Sequence, residues 1–544
     1  MNEQAAICQK YIEAIFARSQ TPLDTGATEI ALQDQLPRFK RYQQATRLTL
    51  PGKMLDPAVP MADVWTSLTT YRAITFDEFT AMLLLTYGLL NMRTDLTWEE
   101  GREGLFSSQT IKYGRGTASG GGLYPAEIYW VCGARGPLHP GLYHYDPAHH
   151  ALVRVMSGNM TRGIQAAVFH HPAALATDQF LLLTLRLWKN TFKYKSFGYH
   201  LATQDLGVLL GSFHFMSSYF QTNIQPLLWF QDEAVNRLLG IDTLVESVFA
   251  VLPLTLASSF SPERSTHWGM APESDAEQDK PLLIRQRLQS SQHVTRFPII
   301  EEVHRATLVN NAPRPDPIND GICEEIGQAD PVIPLPPPPF IHLQGSIRDA
   351  FRGRRSSFGR FSRQKPLSRL DLAALLFLGA TTGCARTDLK HADGNPHFTR
   401  LAVFVNNVEN IQPGAYIYDS TRHGLCPIRQ GNFAPFLQEH YMLSNYNLAE
   451  TAVLITVLGN PKRMLEAYGG RGYRALNIEA GMIAQTIYLV AASLSLGCGA
   501  ALGFDNLAMN EALGLAGTDL RSLLFIMAGP ERQNNARFNA LFPV

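Results

Sequence analysis

The run Arg115-Gly116-Thr117-Ala118-Ser119-Gly120-Gly121-Gly122-Leu123-Tyr124-Pro125 leads straight into the strand-like Glu127-Ile128-Tyr129-Trp130-Val131. Three consecutive glycines remove every Cβ, so backbone amides can lie against a flat ligand, and Ser119 and Tyr124 add polar handles. The alternative is an ordinary glycine-rich turn feeding a strand. The run does not match a phosphate-binding loop, because no Gly-Lys-Ser/Thr follows and the glycines precede a strand rather than a helix. A second constellation, Arg354-Arg355-Ser356-Ser357-Phe358-Gly359-Arg360-Phe361, offers guanidinium forks suited to phosphate oxygens, with Ser356 as a further donor. Its plain alternative is a basic surface loop.

The elements that must position these residues read as mixed helix and sheet, an α+β protein. Residues 1 to about 45 begin with helical periodicity in Ile7, Tyr11, Ile12, Ile15 and Phe16, followed by the basic stretch Arg38-Phe39-Lys40-Arg41-Tyr42, read as solvated surface. A helix is expected over Thr75–Asn91, burying Phe79, Met82, Leu83 and Leu90. Strands are expected at Ile128–Cys132, Leu142–Tyr145, Leu181–Trp188 and Val248–Leu254, and a long helix from soon after Tyr199 through Leu209. Residues 261–343 are polar and irregular and end in the proline run 331–339, which favours extended geometry and suits a stiff linker better than a docking site. A last strand is expected at Leu523–Ala528.

Composition narrows the class. The chain has 544 residues, enough for several cores, and its 47 basic residues balance 47 acidic ones, so no global field favours nucleic acid or an anionic membrane. The 6 cysteines have no metal-clip spacing, and the histidines, among them His144, His149, His150, His170, His171 and His200, lack carboxylates at metal spacing, so no metal site is expected. Free thiols and an N-terminus without a signal pattern imply a cytoplasmic protein. The charge-free stretch Ala480–Phe504 reads as a buried core helix running into a glycine loop, not a membrane span.

Two motifs recur. Gly414-Ala415-Tyr416-Ile417-Tyr418-Asp419 follows Gly141-Leu142-Tyr143-His144-Tyr145-Asp146 at an offset of 273, and Tyr468 and Tyr473 follow Tyr194 and Tyr199 at 274. Near-constant offsets indicate two tandem copies of one domain. The expected division is an N-terminal helical segment at 1–60, a first copy at 61–258, a polar and proline-rich linker at 259–344 and a second copy at 345–544.

Ser-Gly-Gly-Gly-Leu-Tyr-Pro before a strand, followed by Gly-Leu-Tyr-His-Tyr-Asp, resembles the nitroreductase superfamily, and within it the SagB-type, FMN-dependent azoline dehydrogenases that oxidise thiazolines and oxazolines in ribosomally made peptides. The resemblance implies FMN held between two copies of the fold, which a tandem chain can supply as an intramolecular pseudo-dimer. The Arg354-Arg355-Ser356 opening with Arg360 resembles the family's grip on the flavin phosphate and pyrimidine edge. Gly499-Ala500-Ala501-Leu502-Gly503-Phe504 resembles the loop whose amide faces flavin N5, and Ser119 through Tyr124 the ring platform. Lys193-Tyr194 resembles the catalytic pair of SagB-type enzymes. Arg115 either reaches the flavin's polar edge or braces its loop, and Arg532 or Arg537 are weaker candidates for the phosphate.

Each copy lacks what the other keeps. The first has no Arg or Lys between Leu55 and Thr70, where the grip should lie, and has Trp229 in place of Gly503. The second has Asp393 and Pro396 within the counterpart of the glycine loop, residues 392–398, and Ala467 in place of Lys193. The expected result is one complete site built from both copies. An azoline carries an acidic Cα–H, and aromatisation removes that proton and a hydride from Cβ. Lys193 or Tyr194 would take the proton, through a lysine made partly neutral by burial or a tyrosine lowered by a neighbouring ammonium. The resemblance implies reoxidation by dioxygen and a peptide substrate, with a cyclodehydratase complex as a partner. The competing readings are an NAD(P)H-dependent reductase of a small molecule and a non-catalytic scaffold.

Overall fold

Branched and aromatic runs bounded by glycine and proline form two antiparallel sheets with the same internal order, as repeated sequence requires. The computed structural model describes residues 2–24, 36–42, 45–52, 61, 64, 71–95, 112–257, 282–283, 295–317, 332–337, 343, 345–383, 385–390, 397–532 and 537–542. In the first sheet the strands Arg47–Thr49, Ala151–Ser157, Gly141–Asp146, Ala126–Cys132, Gln179–Arg186 and Glu246–Pro253 lie side by side in that order. In the second the order is Ile333–Pro334, Gly424–Gln430, Gly414–Asp419, Thr399–Val405, Val453–Gly459 and Arg521–Gly529, with Gly497–Ala501 added at the far edge. The bulge between Leu142 and Tyr143 recurs between Ala415 and Tyr416. Tyr143 and Tyr416 each donate to a carbonyl four residues back at 2.7 Å, and Tyr145 and Tyr418 each meet a histidine ring nitrogen five residues on. Two copies of one α+β fold therefore follow one another in the chain.

Each copy contributes a long helix to the centre, Gly198–Tyr219 from the first and Gly470–Ser493 from the second. These helices are buried nearly all round, and polar residues they carry, Gln204 and Arg471 among them, are paired within the molecule. Gly470–Ser493 is long and apolar enough to cross a membrane, but 94% of its most apolar window is buried inside the molecule. They cross at a pair of glycines 274 residues apart: a methyl at Gly207 would overlap the Ile478 carbonyl, and one at Gly481 the Gln204 carbonyl. The rings of the equivalent residues Tyr199 and Tyr473 stack 6.3 Å apart beside the crossing. Gln204 donates to Asn477 at 3.0 Å, and His200 Nδ1 lies 2.7 Å from the Tyr473 hydroxyl. Arg471 and Arg474 of the second copy share the buried Asp232 carboxylate of the first. The strand Arg537–Leu541 pairs with Asn91–Asp95, so the end of the chain is also tied to the first copy.

Several sequence expectations need correction. The helix after Thr75 runs over Phe76–Tyr87 only; Thr75 and Glu78 form a reciprocal cap, and Gly88 ends it before the strand Asn91–Asp95. The strand expected at Leu181–Trp188 stops at Arg186, where the helix Leu187–Tyr194 begins. Every residue of that strand is buried, so no alternation marks its end. Lys40 is not solvated: it is 4% exposed and pairs with Glu246 at 2.6 Å. Within the span read as irregular linker, Pro298–Ala306 is a helix packed on the N-terminal helix Glu3–Phe16, and Ile333–Pro334 joins the second sheet. Four polar residues in the nine-residue helix hid its apolar stripe Ile300, Val303 and Ala306.

Candidate functional site

The glycine run folds as a tight turn, with Gly121 and Gly122 in left-handed backbone at φ 62° and 67° and Tyr124 at φ 52°. That backbone suits glycine, and it leaves Gly121 and Gly122 exposed. Ser119 and Tyr124 do not act as outward handles. Asp205, on the first central helix, accepts from the Ser119 hydroxyl at 2.7 Å and the Gly120 amide at 2.8 Å, and Ser119 Oγ accepts from the Tyr124 amide at 2.9 Å. Burial pushes the Asp205 carboxyl up to about 7. Leu123 closes the turn through its amide to Gly120. The Arg115 guanidinium lies 4.2 Å from the Tyr87 ring centroid and 4.1 Å from that of Tyr124, so it braces the loop from beneath.

Lys193 and Tyr194 end the helix Leu187–Tyr194 directly against this turn. A Cβ on Gly121 would stand 2.5 Å from the Tyr194 hydroxyl and 3.1 Å from Lys193 Nζ. Lys193 keeps contact with solvent, yet partial burial, and secondarily the Lys112 ammonium, lower its pKa. Tyr194 is pushed the other way, up to about 12, by burial and then by the Asp205 charge. Of the two, the lysine is the one whose environment favours its neutral, proton-accepting form.

The second copy closes the circuit. Arg354, 3% exposed, donates to the Arg115 carbonyl at 3.1 Å, and Ser356 Oγ lies 3.0 Å from the Tyr488 hydroxyl, which accepts from the Ala500 amide at 2.7 Å. The arginine cluster, the glycine loop and the Leu502-Gly503-Phe504 loop are thereby brought together. Arg355 pairs with Glu531, and the Arg360 carbonyl accepts from the Arg532 amide at 2.8 Å, while the Arg532 guanidinium bonds Glu450. Tyr441 stands against Gly503 and interacts electrostatically with Tyr194, linking the last loop back to Lys193 and Tyr194. Phe358, Met442 and Leu443 supply exposed apolar surface in the same segments. Among the described residues, the buried Nε atoms of Arg115, Arg354 and Arg355 have no acceptor.

The equivalent position in the first copy is filled. Leu228 and Trp229 correspond at 274 to Leu502 and Gly503, and their amides donate to the Asp388 carboxylate at 2.7 and 3.0 Å. The Trp229 indole is buried and donates to the Ala312 carbonyl at 3.1 Å. The segment containing Asp393 and Pro396 lies outside the described residues, as does most of the stretch between Leu55 and Thr70.

Asp205, Asp388, Gln485 and Tyr488 were not found from sequence. Gln485 bridges the copies, donating to the Gly116 carbonyl at 2.9 Å and accepting from the Ala118 amide at 3.2 Å. A single carboxylate leading into Leu206-Gly207-Val208-Leu209-Leu210 was the one available signal for Asp205.

The nitroreductase family model matches residues 352–529. Over 134 residues the chain is 28% identical to a Methanocaldococcus jannaschii protein named as a nitroreductase, a match covering 24% of this chain and 67% of that one. The crystal structure of an Anabaena variabilis protein described as a nitroreductase superposes with a TM-score of 0.69 at 23% identity, covering 97% of this chain and 99% of that chain. One chain of the Escherichia coli microcin synthetase complex is 21% identical over 33% of this chain and 70% of its own, with a TM-score of 0.29, too low to support an argument. The fold is nitroreductase-like in both copies, and the match to the nitroreductase family model falls in the second of them, at residues 352–529.

Proposed function

We propose that the chain is an FMN-dependent dehydrogenase that oxidises azoline rings to azoles in a ribosomally made peptide, with copies at 61–258 and 345–544 sharing one site. The observation that carries this reading is the placement of Lys193 Nζ and the Tyr194 hydroxyl against Gly121, with the lysine's charged form disfavoured. A reductase has no need of a base at that position; an azoline, which must lose a proton from Cα, does.

The residues present fit FMN. Among the described residues the buried Nε donors of Arg354 and Arg355 and the Leu502 and Gly503 amides meet no acceptor, and Gly121 and Gly122 carry no Cβ. Arg354, Arg355, Ser356 and Arg360 would hold the phosphate and pyrimidine edge, with Arg355 shared between the ligand and Glu531. FMN, when bound, supplies a hydride acceptor that dioxygen restores. Lys193 takes the Cα proton, Tyr194 orients the ring by its hydroxyl, and the apolar Phe358, Met442 and Leu443 favour a peptide over a small polar substrate. Asp388 caps the second pair of amides, which supports a single FMN per chain.

Turnover on a thiazoline peptide under oxygen tests the reading. Azole formation that consumes dioxygen without NAD(P)H is the expected outcome. Rapid bleaching of the flavin by NAD(P)H, with no azole formed, would make it a reductase, and a colourless protein would make it a scaffold.

A further inference from the structure

The segment that follows the N-terminal helix Glu3–Phe16 reaches both halves of the site. Arg18 Nη2 donates to the carbonyls of Leu502 and Phe504, and its Nη1 donates to Asn506 Oδ1 at 2.6 Å and to the Ile15 carbonyl at 2.7 Å. Its guanidinium also lies 4.7 Å from the Phe197 ring centroid. Ser19 donates to Asp505 at 2.9 Å. On the other side Asp24 accepts from the Ser196 hydroxyl at 2.5 Å, two residues beyond Tyr194, and the Tyr11 hydroxyl donates to the Ser196 carbonyl at 2.8 Å. Residues 11–24 thus tie the helix end that carries Lys193 and Tyr194 to the Leu502-Gly503-Phe504 loop.

We infer that Arg18 is a positioning residue for the Gly503 amide, acting through the peptide unit that joins Leu502 to Gly503. The carbonyl of that unit belongs to Leu502, and in a planar trans peptide its N–H, that of Gly503, points the opposite way. A cation on the carbonyl therefore fixes the plane, directs the Gly503 N–H away from Arg18, and polarises it into a stronger donor. The neighbouring bonds hold the rest of the loop still: the Gly503 carbonyl accepts from Met442 at 2.8 Å and the Asp505 amide donates to His440 at 3.0 Å. The Gly503 N–H has no acceptor among the described residues and is left for a ligand. Although burial lowers the Arg18 pKa to about 10, the side chain keeps its charge at neutral pH. The inference rests on the proposed FMN site, because it assigns the Gly503 amide to the flavin.

Hydrogen exchange over residues 500–504, measured with and without FMN, is the test, together with steady-state kinetics on the azoline peptide. Arg18→Met keeps the stem over Phe197 and removes the fork. Loss of a charged hydrogen bond predicts that FMN-induced slowing of exchange falls about 10-fold and kcat falls about 10-fold, with KM little changed and added ethylguanidinium restoring part of kcat. Arg18→Met with parental protection and parental kcat would overturn the inference while leaving the FMN site intact. A parent protein that binds FMN without slowing exchange over 500–504 would overturn the site reading and this inference with it. If Arg18→Met does not fold, Arg18→Lys keeps the charge without the fork: partial loss is expected, and parental values would overturn the inference.

Discussion

Lys193 and Tyr194 sit side by side but are driven apart in acidity, which is why the proposed mechanism gives the role of base to the lysine. Burial and Lys112 lower the lysine, whereas burial and Asp205 raise the tyrosine to about 12. Lys193→Ala is expected to keep the yellow colour and lose azoline oxidation by roughly 100-fold or more, and Tyr194→Phe to lose less, read as kcat against flavin content. Equal losses would make the tyrosine an equal partner. Asp205, which holds the glycine turn, carries its own pH signature. Its carboxyl has a folded value of about 7 against an ordinary 3.8, so the folded state binds the proton more tightly than the unfolded state. The native protein should therefore lose stability as pH rises from about 4 to 7, by at most about 1.4 kcal/mol per unit, and lose nothing more from this group above that. Denaturant midpoints of parent and Asp205→Asn across this window check the sign, since the asparagine protein should lack this component.

At the scale of elements, the meeting of the two central helices fixes how the copies face each other. Gly207 and Gly481 allow backbone against backbone, and the helices then carry Asp205 under the glycine turn and Tyr488 between Ser356 and Ala500. Gly481→Ala is expected to force the helices apart at a cost of about 1–3 kcal/mol, seen as a lower melting temperature. If the melting temperature is unchanged, the crossing is not as tight as described. The repeat was legible in sequence because strands and their turn chemistry sit at a near-constant offset, and the glycine turn was legible because only glycine tolerates its backbone. The fully buried strand Gln179–Arg186 hid its own end, and nothing local reveals that Lys40 pairs with Glu246, 206 residues away. The supports of the site escaped for the same reason: Arg18 meets Leu502, and Asp388 meets Leu228, only after the copies are packed.

At the scale of the whole molecule, the two halves are mutually dependent. Asp232 of the first copy is buried against Arg471 and Arg474 of the second, Asp388 of the second is buried on amides of the first, and Arg354 bonds the Arg115 carbonyl of the glycine loop across the interface. The sequence already showed a division of parts, since Arg354-Arg355-Ser356 and Ser119-Gly120-Gly121-Gly122 each occur once. What it did not reveal is that the first copy's counterpart of the Leu502–Gly503 amides is capped by the Asp388 carboxylate. The central claim, one shared site made from two unequal copies, is tested most directly by flavin content per polypeptide in the purified full-length protein. One FMN per chain is predicted; two FMN per chain would contradict it.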